Sequence, residues 1–247
     1  MKRFNDGFTL VELMVAMAMA SIVVAVIYTA YDVQTRIYTE QDRAAEMQQN
    51  LRAAMAFMQR EARMAGYNPS GGKDNSCDAQ TGAPKKVAPG VHTATATSFG
   101  FSMDLNEDGD CGDTGENVTY SIYTDGDGIQ KLGRAAPNVN QAIAEHVTNI
   151  DFVYLFPPPK VGAPIKDAPT QAPAATKLDD IVSVQISLLA RSKQANLKAA
   201  TTSSYPVAMP DPYGKSTTVL TATWGPFTDS YKRQVLTASV NCRNMGL

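Results

Sequence analysis

The segment Gly7-Phe8-Thr9-Leu10-Val11-Glu12-Leu13 opens an apolar run that continues to Tyr31, with Glu12 as its one charged residue. At ~1.5 Å of rise per residue, a helix over 8–31 is long enough to cross the hydrocarbon core of a bilayer. Ahead of it stands a short polar leader, Met1-Lys2-Arg3-Phe4-Asn5-Asp6, with two adjacent basic residues. Basic flanks stay in the cytoplasm, so the leader is expected inside and the rest of the chain across the membrane. A secretory signal peptide is the competing reading, with Ala18-Met19-Ala20 as its cleavage site. Against it, the chain stays apolar through Ile22-Val23-Val24-Ala25-Val26-Ile27, where a mature soluble protein turns polar. A carboxylate inside such a run is costly to insert and therefore marks a function.

These residues resemble the class III signal of type IV pilins and type II secretion pseudopilins: a basic leader, a glycine, an aromatic residue and a buried acid at fixed spacing. The resemblance implies that prepilin peptidase cuts between Gly7 and Phe8 and that Phe8 is N-methylated. It also implies that Glu12 pairs with the charged amino terminus of Phe8 in a neighbouring subunit. Two buried charges then neutralise each other only when subunits are correctly staggered. Many major pilins carry Gly and Pro where this chain has Ser21 and Thr29. Neither residue breaks a helix, so the rod is expected to be continuous, as in a minor subunit or pseudopilin.

Beyond the span the pattern turns amphipathic. Ile37, Ala44, Met47, Leu51, Met55, Met58, Ala62 and Ala65 recur at helical spacing, with Arg and Glu between them. The methionines read as core filler, not as ligands, and the heptads are too irregular for a coiled coil. Gly66 followed by Asn68-Pro69 is a stop signal, which predicts one helix of roughly 87 Å from Phe8 to Ala65. From residue 67 the composition shifts to Gly, Pro, Thr, Ser and Asp. Strands are expected over 97–103, 118–123, 150–156, 181–189, 217–224 and 235–242, with a short helix over Gln141–Val147. The expected fold is α+β, a long amino-terminal helix packed on a β-rich antiparallel head. Its divisions are a leader (1–7), the helix (8–66, with 8–31 in the membrane) and the head (67–247), which includes a Pro-rich loop at 157–176.

The 22 basic and 24 acidic residues give a net charge of −2, and no window concentrates Lys and Arg with aromatics, so nucleic acid is an unsuitable partner. Three cysteines without close spacing argue against zinc or redox chemistry. Cys242 falls on the apolar side of the last strand, leaving Cys77 and Cys111, both in polar loops, as the expected disulfide in an oxidising compartment. Asp104-x-Asn106-x-Asp108-Gly109 matches the front of a calcium loop, with Asp110, Asp113 and Glu116 near enough to complete an oxygen shell. The twelfth position is Gly115 rather than an acid, and a plain acidic hairpin turn is the other reading. Asp125-Gly126-Asp127-Gly128 reads as a tight hairpin turn. Gly214-Lys215-Ser216 lacks the earlier glycine of a phosphate loop, Asn117-Val118-Thr119 is a chance sequon, and no GxSxG, HExxH or Cys/His dyad is present.

Several head segments are similar to the PilW family of minor pilins. They are Arg60-Glu61-Ala62-Arg63-Met64-Ala65-Gly66-Tyr67, the acidic stretch from Asp104 to Tyr120, Ala144 to Tyr154, Val184 to Ser192, and Arg243-Asn244. The Pro-rich loop has no counterpart there and reads as a solvated extended segment. The resemblance implies a structural subunit and not an enzyme, with no required cofactor and calcium as the one candidate ion. Its implied partners are other minor and major pilins, prepilin peptidase and the inner-membrane assembly platform. It would lie in the inner membrane with its head in the periplasm before assembly, and on the pilus after it. A J-class minor pseudopilin of type II secretion and a pilus-tip adhesin are the alternatives.

Overall fold

The computed structural model describes residues 8–69, 90–108, 111, 113–136, 139–157, 169–195, 200–208 and 221–245. The chain divides into two compact units, Met1–Ala45 and Glu46–Leu247. Helix α1 runs Leu10–Ala62, and no Gly or Pro interrupts it. At the positions where a break was conceivable, the Ser21 hydroxyl donates to the Ala18 carbonyl (2.7 Å) and the Thr29 hydroxyl to that of Val26 (2.8 Å). Both side chains thus satisfy themselves within the helix rather than opening it. In the first unit the large apolar side chains from Phe8 to Tyr38 are exposed, Ile37 included. Among the described residues, α1 is the one helix long and apolar enough to cross a membrane.

The second unit starts inside α1, where Met47, Leu51, Ala54, Met55, Met58 and Ala62 are buried. The helix stops through a turn at Gly66, whose φ of +78° favours glycine and whose N–H donates to the Ser102 carbonyl at 3.0 Å. A Cβ there would lie 2.9 Å from Met245 Sδ and 3.2 Å from the Asn244 carbonyl oxygen, so the end of the chain closes against this glycine.

Among the described residues, ten antiparallel strands form the head. β1 (Val91–Ala94), β2 (Ser98–Ser102), β3 (Asn117–Thr124), β4 (Gln130–Ala136) and β5 (Val139–Glu145) make a meander in sequence order. β6 (Val147–Leu155), β7 (Ser183–Arg191) and β10 (Arg233–Asn241) make a second sheet in the order β10-β7-β6. β8 (Thr201–Ala208) and β9 (Thr221–Asp229) form a two-stranded ribbon, and a 3-10 helix (Ala175–Asp180) precedes β7. Alternation along the strands sends Phe99, Phe101, Val118 and Tyr120 from the first sheet, and Phe152, Tyr154, Ile186, Leu188 and Val240 from the second, into one core. The buried stripe of α1 joins them there. The Phe99 ring lies 5.1 Å from Phe101 and 5.6 Å from Phe152, at tilted angles typical of aromatic pairs.

Two expected elements are corrected. Gln141–Val147 is not a helix: it is most of β5 and the first residue of β6. Its Ala, Gln and Glu content favours helix locally, but β5 pairs with β4 from Lys131↔Glu145 to Ala136↔Val139. Lys131 bridges Glu145 (2.7 Å) and Asp125 (3.0 Å), and His146 makes the corner at φ +59°. The strand expected over 217–224 is β9, Thr221–Asp229, residues 217–220 lying outside the described residues. The Asp125–Gly128 turn joins β3 to β4, and Asp125 Oδ1 accepts the Asp127 and Ile129 N–H groups.

One polar lock ties the end of α1 to the first sheet. Glu61 accepts the Tyr120 hydroxyl and the Arg134 Nε–H (2.8 Å). The Glu61 and Arg134 side chains are only 13% and 12% exposed, so neither charge has water to fall back on. Burial and the Glu61 charge push the Tyr120 phenol well above its ordinary value, so it remains a donor. Glu61→Leu alone should lower stability by about 2–4 kcal/mol, while Glu61→Leu with Arg134→Met should recover part of that loss. Denaturant titration of the full chain in detergent checks this, and a double-variant loss equal to the sum of the Glu61→Leu and Arg134→Met losses would show that the pair is not coupled.

Candidate functional site

The first turn of α1 is built by two side chains. The Thr9 N–H (3.0 Å) and hydroxyl (3.1 Å) both donate to Glu12 Oε2, and the Glu12 N–H donates back to Thr9 Oγ1 (3.2 Å). This reciprocal capping box satisfies helix-start donors that would otherwise be orphaned at the edge of an apolar segment. Glu12 therefore acts on its own helix as well as standing as the one acid of the span. Phe8 lies just before the box and is exposed. Gly7 lies outside the described residues. The Thr-x-x-Glu spacing was visible in the sequence as a helix-start signal, and reading Glu12 only as half of an intersubunit pair missed it.

The acidic loop has a different organiser. Glu116 is buried; its Oε1 accepts the Leu105 (2.9 Å) and Asn106 (3.3 Å) N–H groups, and its Oε2 accepts that of Asp113 (3.2 Å). Asn106 donates its amide to Asp108 Oδ2 (2.9 Å) and Asp113 Oδ2 (2.8 Å), and its Oδ1 accepts the Asp108 N–H (3.0 Å). The Asn106 amide thus bridges two of the carboxylates that the calcium reading enlists. Asp104 is buried at the base of the loop; Asp110 lies outside the described residues. Among the described residues no group of three or more His, Cys, Asp or Glu side chains is arranged to hold a metal ion.

A profile described as the prokaryotic N-terminal methylation motif matches residues 2–28. A second, described as Type IV Pilus-assembly protein W, matches residues 117–244, more than half of the chain. The chain belongs to the PilW family. No curated protein and no solved structure matches it significantly.

In this PilW chain the family match covers β3 to β10, the strands that carry most of the core. Cys242 is the free thiol among the described residues; it is buried, and burial pushes it up to about 12, which makes it inert. Cys111 is buried and disulfide-bonded, and its expected partner Cys77 lies outside the described residues.

Asp151 is a buried acid that sequence reading did not single out. β6 is covered on both faces, so this side chain has no wet side. Its Oδ1 accepts Gln171 Nε2–H at 2.7 Å, while Oδ2 has no partner. Burial raises the carboxyl to about 6, outweighing the Gln171 hydrogen bond. The folded state thus holds this proton more tightly than the unfolded state does. The stability it contributes is full below the unfolded value near 3.8 and is lost as pH rises through about 6. Asp151→Asn, which keeps the acceptor for Gln171, should gain about 1–3 kcal/mol at pH 7 and flatten the stability profile between pH 4 and 6. Melting curves across that range check it, and an unchanged slope would contradict it.

Proposed function

We propose that this PilW protein is a minor pilin that is cut between Gly7 and Phe8, methylated on Phe8, and built into the start or tip of a type IV pilus. Family membership implies association with other pilins and processing by prepilin peptidase, and the apolar amino-terminal helix anchors the chain in a membrane. The basic leader places the amino terminus in the cytoplasm and the head in the periplasm. The observation that carries the reading is the capping box, which fixes the Glu12 carboxylate on the first turn of an exposed apolar helix, four residues from the amino group that cleavage creates.

An apolar helix surface packs against like helices in any register, whereas a buried charge is relieved only where an opposite charge meets it. In the proposed assembly the Phe8 ammonium of one subunit meets Glu12 of the next, so the pair sets the axial stagger. The chain's own residues supply register and packing, and no step in this role is catalytic.

Glu12→Ala removes the charge and leaves the apolar span intact. The variant should reach the membrane at wild-type level or above and fall about tenfold or more in sheared filaments. Glu12→Gln, which keeps much of the box but not the charge, should fail in the same way. Normal incorporation of both variants would remove Glu12 from assembly, and failure of Glu12→Ala alone would reduce its role to helix capping.

A further inference from the structure

We infer that the free edge of β10 is a docking surface for an extended strand from another pilin-family subunit, an inference that rests on the filament-subunit reading above. The Cys242 N–H donates to the Val182 carbonyl and the Ser192 N–H to the Lys232 carbonyl. Even-numbered residues of β10 therefore turn their backbone groups toward β7. Val235, Thr237, Ser239 and Asn241 turn theirs away from the sheet. Among the described residues, those outward groups meet one partner, the Gln59 side-chain amide, at 3.5 Å from the Ser239 carbonyl oxygen.

Exposed edges are normally blunted, because a row of unpaired N–H and C=O groups recruits other chains. The other described edges here are blunted. β6 gives its Phe152 N–H to the Ala96 carbonyl (2.9 Å) and exchanges two hydrogen bonds with Thr170 through Tyr154 (2.8 and 3.1 Å). β1 has four residues and an irregular register. β5 carries a bulged register against β4 and is capped by Asn50 on the Glu145 carbonyl. β8 and β9 contain Pro206 and Pro226.

β10 has none of these devices. It pairs with β7 over nine residues without a register break. From Gln234 to Asn241 it has no proline and no charge. Its one cation, Arg233, is occupied by Asp229 at 2.7 and 2.6 Å.

Outward groups repeating every second residue, ~6.6 to 6.8 Å apart, match another extended backbone and no compact ligand. The uncharged edge fits an uncharged strand. Gln59 ties this edge to the part of α1 that packs on the head; in the proposed assembly, where subunits join along their helices, the strand that meets the edge comes from a neighbour's β-rich head. An added strand would extend the sheet to four strands.

A photo-crosslinking amino acid in place of Ser239, in the full chain in its native cell, should give an adduct with another pilin-family subunit. Thr237→Pro removes one outward N–H and spares the backbone bonds to β7; Thr237→Lys leaves the backbone intact and charges the edge; both lose the same Thr237–Ser187 hydroxyl contact (3.0 Å). Both should keep the membrane level of the wild type and show the small fall in melting temperature of Thr237→Val, which loses the same hydroxyl contact without blocking the edge, while their filament recovery alone falls about tenfold. No adduct, an adduct only with a second copy of this chain, or recovery of Thr237→Lys within about twofold of wild type would overturn the proposal. Glu12→Ala run in parallel separates the two ideas. If it blocks assembly and Thr237→Lys does not, only the β10 edge is lost; if the wild-type chain itself is absent from sheared filaments, the filament reading fails.

Discussion

A carboxylate at the start of an apolar, unbroken helix is the constraint from which the rest of this protein follows. The side chains from Leu10 to Tyr31 find no cover within their own unit, so they need lipid or the helices of other subunits. Glu12 makes that choice specific. Thr9 holds it on the first turn and satisfies the helix start, but a capped carboxylate in an apolar layer still lacks a countercharge. In the proposed assembly, an amino terminus created beside it by cleavage would supply one only in an ordered neighbour. Register in that assembly would be written into a charge, and affinity would come from the apolar surface around it.

The head has the opposite problem, which is to bury one face of an amphipathic helix without leaving polar groups stranded. It uses two antiparallel sheets whose inward side chains close over Met47, Leu51, Met55 and Met58. The Glu61–Tyr120–Arg134 lock then fixes where the helix ends on the sheet, because the apolar contacts alone tolerate sliding by small displacements. Gly66 and the chain's last described residues close the same corner. Glu116 performs the equivalent task for the acidic loop, spending a buried carboxylate on three backbone N–H groups.

What the sequence made legible was local in origin. The helix was readable because no Gly or Pro falls between Phe8 and Ala65 and because its apolar residues change from a continuous run to a stripe. β2, β3, β6, β7 and β10 were readable from alternation and β-branched content. β5 was misread because Gln-Ala-Ile-Ala-Glu has helix propensity, and its pairing with β4 is a property of the sheet rather than of the segment. β4, with Lys131, Gly133 and Arg134 in seven residues, shows no clean alternation. The Glu61–Arg134 pair joins residues 73 apart and has no local signature. At the amino terminus the intrachain geometry was incomplete, since Thr9 was passed over as Glu12's partner. In the acidic loop the spacing of oxygens suggested a cation, and it did not reveal that the Asn106 amide bonds to both Asp108 and Asp113.

Intact-mass spectrometry of the mature chain, purified from its native membrane and filament fractions, tests the central claim most directly. The account predicts a chain that starts at Phe8 and is heavier by one methyl group on its amino nitrogen. A chain that starts at Ser21, after Ala18-Met19-Ala20, would contradict it, because Glu12 and half of the apolar helix would then be absent from the working protein.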